Sequence, residues 1–146
     1  MILASPTFKN NEFIPDKYTC NGPNLNPPLT ISSLPPNTQS LALIVDDPDA
    51  PLGIWTHWTV WNIDPKTTQI AENSVPATAV EGTTSWGKPG YSGPCPPSGT
   101  HRYFFKLFAL DTSLSLDSSA SLNQLNSALQ GHIIGQAELV GKYSKK

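Results

Sequence analysis

Five apolar residues in a row, Leu41-Ala42-Leu43-Ile44-Val45, run straight into Asp46-Asp47-Pro48-Asp49-Ala50-Pro51. An unbroken apolar run of this length fits a strand covered on both faces, because a half-exposed strand alternates. The acids then stand where a buried strand ends. Proline fixes its own backbone and biases the residue before it towards extended geometry, so Asp47 and Asp49 are expected to present their carboxylates on one side, as a stiff acidic rim to a pocket. The competing reading is a plain turn, since Asp and Pro favour turns for local reasons.

Further strand character falls at 55–63 and 102–110, with weaker segments at 12–14, 28–31 and 137–143. Strict alternation along Trp55 to Ile63 puts Trp55, His57, Thr59, Trp61 and Ile63 on one face and Thr56, Trp58, Val60 and Asn62 on the other. Both faces carry large apolar groups, so this strand is expected to be central. One helix is predicted: Ser121 and Gln124 make a capping box, Leu122, Leu125 and Leu129 an apolar stripe, and Gly131 a stop. The 15 prolines and 10 glycines cluster at 22–36 and 82–99, which read as long ordered loops. The expectation is a single mostly-β domain over residues 1–146.

Net charge is −2 and charged residues are 14% of the chain, so the basic surface that nucleic acid demands is missing. No segment approaches the roughly 20 apolar residues of a membrane span, and Met1 to Pro6 lacks a basic start, so no membrane span and a cytoplasmic location are expected. Cys20 and Cys95 both sit in Pro/Gly-rich loops. A cytosolic location argues for free thiols, a bridge pinning two rim loops is the alternative, and a share in a metal site is a third.

His57 and His101 begin or sit early in aromatic-rich strands, and with Asp47 and Asp49 they offer two imidazoles and two carboxylates to one pocket. Three chemistries compete. A zinc or iron site has acceptable ligand types but no short paired spacing. A Cys95 nucleophile beside His101 lacks the cationic neighbour that lowers a thiol pKa. An anion pocket fits best: imidazoles, the Tyr103 hydroxyl and N–H groups freed by Gly90 and Gly93 would donate, while the carboxylates hold the rings protonated and oriented. Gly87 to Gly93 lacks the Gly-Lys-Ser/Thr ending of a Walker loop, and His132, after Gly131, reads as structural.

Three ordered segments carry a resemblance: Asp47-Pro48-Asp49-Ala50-Pro51, His57-Trp58-Thr59-Val60-Trp61-Asn62-Ile63, and Tyr91 through Cys95-Pro96-Pro97-Ser98-Gly99-Thr100-His101-Arg102-Tyr103. In order and spacing they resemble the phosphatidylethanolamine-binding protein family, which includes Raf kinase inhibitor protein and plant flowering regulators, and most closely its short bacterial and archaeal members. The likeness runs from about Ala4 to Tyr143. It implies a β-sandwich with one or two short helices and a small pocket for phosphate or a phosphorylated headgroup. Asp47, Asp49, His57 and His101 would line it, with Trp55, Gly93, Pro94 and Tyr103 beside them. The chain stops soon after Tyr143, without the C-terminal extension of the animal and plant members, so a more open pocket is expected. Animal members modulate kinases and some inhibit serine proteases.

The expected function is non-enzymatic anion binding, without a cofactor, that modulates a protein partner such as a kinase or protease. Two alternatives are a protease inhibitor acting through loop 82–98 and a small His/Asp hydrolase. Pairing of two copies through an exposed sheet face would make a homodimer.

Overall fold

A computed structural model describes all 146 residues. In chain order the strands are β1 (Ile2–Ala4), β2 (Glu12–Phe13), β3 (Leu29–Ser32), β4 (Ser40–Asp47), β5 (Trp55–Ile63), β6 (Gln69–Ile70), β7 (Val80–Glu81), β8 (Thr100–Leu110) and β9 (Ile133–Ser144). The single α-helix, α1 (Leu122–Leu129), lies between β8 and β9, and one 3-10 turn spans Asp16–Tyr18. Six strands form a large sheet in the order β2-β9-β8-β4-β5-β7, and β1-β3-β6 form a small one. All pairs are antiparallel except β2 with β9. The expected mostly-β fold is what the chain adopts.

The apolar run behaves as its pattern demands. Every residue of β4 from Ser40 to Asp47 is buried, and the strand sits inside the large sheet between β5 and β8. Its odd-numbered side chains, Leu41, Leu43 and Val45, enter the 19-residue core that also holds Leu3, Leu29, Ile31 and Ile70 of the small sheet. Its even-numbered side chains, Ala42 and Ile44, enter a second core of eight residues with Leu125 and Leu129 of α1. Fully burying one such Leu or Ile contributes about 1.5–3 kcal/mol over exposure, several times a typical surface ion pair. These two layers therefore fix the frame on which the polar groups hang.

The strand at 55–63 departs from strict alternation. Along the β4–β5 ladder Val45 faces Trp58 and Asp46 faces Thr56, so His57 is an extra residue without a partner, a β-bulge. A second shift lies between Leu41/Ile63 and Leu43/Val60, where Asn62 takes φ 55° and clamps Leu114 through two hydrogen bonds of 2.8 Å. Trp58, Val60 and Ile63 consequently share the main core while Trp61 belongs to the core under α1, which corrects the period-two grouping of Trp61 with Ile63. β5 is also less central than expected: beyond it lies only β7, paired at Val60 and Trp61. The rest of its edge is satisfied by the following loop. Gly82 N donates to Thr59 O, Thr56 N and O bond Ser85, and Ser92 N donates to His57 O.

The helix forms where predicted. Ser121 and Gln124 make both bonds of the capping box, and Gly131 ends the segment at φ 81°, a conformation glycine adopts without Cβ strain. His132 bonds Asp111 at 2.8 Å, clipping the end of β8 to the start of β9. The short strands β1, β6 and β7 were outside the sequence expectation, and the weak 137–143 segment is the end of a 12-residue strand. No helix is long and apolar enough to cross a membrane.

Candidate functional site

At one end of the large sheet, β4, β5 and β8 leave a cavity of about 320 Å³. Asp47 enters it from the last position of β4, His57 from the bulge in β5, and His101 and Tyr103 from the start of β8, where residues two apart share a face. Without the bulge, alternation would set His57 on the face opposite Trp58, away from Tyr103. With it, the His57 and Tyr103 rings meet edge to face at 5.2 Å. Loops complete the walls: Ala50 and Pro51 after β4, Trp86 from the segment along β5, and Cys95, Pro96 and Pro97 before β8. Trp55 and Trp86 stand edge to face at 5.4 Å at the mouth, both partly exposed.

The floor is polar and almost completely buried. Asp47, His57, His101 and Tyr103 are 4%, 3%, 7% and 1% exposed. His101 Nδ1 lies 2.7 Å from Asp47 Oδ2, and Asp47 Oδ1 accepts from the Asp49 N–H at 2.8 Å. His57 Nδ1 lies 2.6 Å from the Ser92 carbonyl oxygen. A carbonyl or carboxylate oxygen can only accept, so each imidazole carries its proton on Nδ1 and leaves Nε2 free of protein partners. Burial pulls the His57 pKa below its ordinary value, against the opposing pull of Ser92 and Asp47. Burial therefore works against charge on this ring, contrary to the expectation that carboxylates hold both imidazoles protonated, and a backbone carbonyl orients His57 instead. Burial, and then the Asp47 charge, push the Tyr103 hydroxyl up, so it stays a donor. No protein group makes a well-formed hydrogen bond to that buried hydroxyl, whose polar neighbours are the Cys95 N–H and the Asp47 carboxylate.

Of the residues singled out in the sequence, Asp47, Trp55, His57, His101 and Tyr103 come together around the cavity. Asp49 does not. Its carboxylate turns to Arg102, accepting from N and Nε through Oδ2 and from the guanidinium through Oδ1, all at 2.9 Å. This fork holds its pKa down at about 2. Asp47 and Asp49 therefore diverge, because they reach to His101 and Arg102, neighbours on β8 that point to opposite faces. Gly93 and Pro94 sit buried behind the wall rather than in it. The Gly93 N–H, expected to be free for a ligand, donates to Asn24 Oδ1 at 2.8 Å, and a Cβ at this position would overlap the Tyr18 carbonyl. Gly90 lies outside the cavity.

Of the alternatives for Cys20 and Cys95, the disulfide bridge between two rim loops is the one the chain adopts, so Cys95 has no thiolate to offer as a nucleophile. The bridge joins the loop after the 3-10 turn to the wall of the cavity. Nor do the histidines and acids gather as a group of three or more metal-ligating side chains. Ala50, Pro51, Trp86, Pro96 and Pro97 line the cavity outside the expected set. A lone tryptophan in a Gly/Pro-rich loop, Ser85-Trp86-Gly87-Lys88-Pro89-Gly90, was the available signal.

Against known proteins, residues 4–144 match the model of the phosphatidylethanolamine-binding protein family. A UPF0098 protein of Pyrococcus horikoshii is 50% identical, over 99% of this chain and 77% of its own length. One from Chlamydia pneumoniae is 49% identical over 99% of both chains. Among solved structures, a putative phosphatidylethanolamine-binding protein homologue of Chlamydia trachomatis superposes with a TM-score of 0.95 at 43% identity, covering 99% of this chain and 97% of that one. Escherichia coli YbcL, described as a member of the mammalian family, gives 0.93 at 34% identity, covering 99% and 98%.

Proposed function

Because this chain belongs to the phosphatidylethanolamine-binding protein family, we propose that it is a non-enzymatic receptor for a phosphate-like anion, held in the cavity between His57 and His101. The observation that carries this reading is the pair of imidazoles, each fixed through Nδ1, with an unpartnered buried Tyr103 hydroxyl beside them. A buried hydroxyl without a partner costs about 1–3 kcal/mol, and an anion offering acceptor oxygens would remove that cost. Uptake of a proton at Nε2 makes each imidazole a second donor. Proline and tryptophan in the walls lower the local polarity, which strengthens those bonds.

Support for a binding role over catalysis is the state of Cys95: the thiol at the cavity is tied in a bridge, and no other activated nucleophile stands beside either histidine. Modulation of a kinase or protease belongs to the same reading. Leu52, Ile54, Trp55 and Trp86 leave large apolar surface exposed around the mouth, the kind of rim a protein partner covers. A cytoplasmic setting is part of the proposal too, and there the exposed bridge would meet dithiol reductants.

The test is calorimetric titration of phosphate and phosphoethanolamine, at a pH near 6, into the native protein and a His57→Ala/His101→Ala variant. Binding to the native protein that disappears in the variant supports the receptor. Equal heats in both would sink it.

A further inference from the structure

The Cys20–Cys95 bridge does more than join two loops, because Cys95 is itself part of the cavity wall and both cysteines are exposed. The hydrogen bonds that dock the wall loop onto the neighbouring loop all fall before Cys95. Tyr91 Oη donates to Tyr18 O, Gly93 N donates to Asn24 Oδ1, and Cys20 N donates to Pro94 O. The next anchor is the bond from Lys145 N to Gly99 O. Between these points lie residues 95–98, which include Pro96 and Pro97 of the wall, and the bridge is their direct tether.

Resting on the anion reading above, we propose that this bridge is a redox gate: exchange with a dithiol frees the 95–98 wall and weakens the hold on phosphate, while the floor stays in place. The exchange balances. A thiolate of the dithiol attacks one bridge sulfur to form a mixed disulfide, and the second sulfur of the reagent then closes its own disulfide. Two electrons pass to the protein, and two protons end on Cys20 and Cys95 as thiols. Cys20 and Cys95 are both exposed residues, which favours the access that this attack needs.

Reduction is selective because of where the other contacts lie. Ser92, which orients His57 through its carbonyl and bonds the His57 backbone through its N–H, precedes all three docking bonds but Tyr91's, and none of these involves the sulfurs. The imidazole therefore keeps its direction. What changes is that a ligand must re-order a segment the bridge had ordered in advance. Re-ordering the equivalent of one residue costs roughly a factor of ten in affinity.

The experiment is phosphate titration at pH 6 and 25 °C into three samples: the oxidised protein, the same protein reduced with dithiothreitol, and Cys20→Ser/Cys95→Ser. Circular dichroism checks that each is folded, and amide NMR relaxation is read at Ser98, with Gly99 as the anchored neighbour. Expected are affinity about tenfold lower in the reduced and substituted samples, new mobility at Ser98, and an unmoved His57 ring signal. Where the double variant fails to fold, the reduced native protein carries the comparison. Equal affinity in the oxidised and reduced forms overturns the gate, and so does global unfolding on reduction. Absence of phosphate binding in the oxidised protein brings down the anion reading instead, and the gate with it.

Discussion

Asp47 and Asp49 stand two positions apart and hold opposite sides of the same strand: Asp47 fixes His101 at 2.7 Å inside the cavity, and Asp49 grips Arg102 outside it at 2.9 Å. Asp-Pro-Asp is thus a clip that straddles β8, with one acid for the ligand site and one for the backbone. The two should separate by substitution. Asp47→Asn is expected to lower phosphate affinity roughly tenfold, since an amide no longer matches the imidazolium that an anion requires. Asp49→Asn should leave affinity within about twofold and act on acid stability. The Asp49 carboxyl titrates at about 2 in the fold against 3.8 when unperturbed, so its contribution is present above pH ~4 and is lost as pH falls towards 2. Urea midpoints at pH 5 and pH 2.5 should therefore differ less in Asp49→Asn than in the native chain.

His57 makes binding and stability respond to pH in opposite directions. Its pKa lies below the unperturbed 6.5 because the ring is buried, so an anion that needs Nε2–H must bring a proton with it. Affinity for phosphate should rise as pH falls from 8 to 6, by up to about tenfold per unit for one proton taken up. For the empty protein, the unfolded chain binds the proton first, near pH 6.5. Stability conferred by the neutral ring is thus full above that value and declines as pH drops below it. Melting curves at pH 7.5 and 5.5 should show the decline, phosphate should oppose it, and His57→Phe should flatten it.

The bridge closes 75 residues of sequence, and loop-closure entropy assigns such a crosslink about 4 kcal/mol. Typical domains of this size hold 5–15 kcal/mol, so the reduced protein is expected to remain folded at 25 °C. Its Tm should fall by about 10 °C, at the few degrees per kcal/mol usual for chains near 150 residues. Scanning calorimetry with and without reductant measures this directly. A Tm unchanged within about 2 °C would mean the unfolded chain already keeps the two loops together.

Much of this frame was legible because it is encoded locally or in simple patterns. Leu41 to Val45 announced a doubly buried strand without further context, and Ser121 with Gln124 announced the start of α1. What escaped depends on partners far away in sequence. β6 and β7 are two residues each and exist only through the strands they pair with, so no window of sequence marks them. The destination of Asp49 was hidden for the same reason: Arg102 lies 53 residues on. The bulge at His57 left no trace either, since Trp55 to Ile63 reads as a regular strand and only the register against β4 reveals the extra residue. Trp86 escaped because glycine and proline dominate its loop and nothing local marks which side chain there faces a cavity.

The bulge in β5 also sets a limit on how this chain can change. A version lacking one residue between Thr56 and Trp58 would run an unbroken ladder against β4, gaining regularity and losing the imidazole from the cavity in the same event. Selection for a better-formed sheet and selection for an occupied site therefore pull on this position in contrary senses. Shortening at this point is the genetic change that would leave the fold standing and the cavity without one of its histidines.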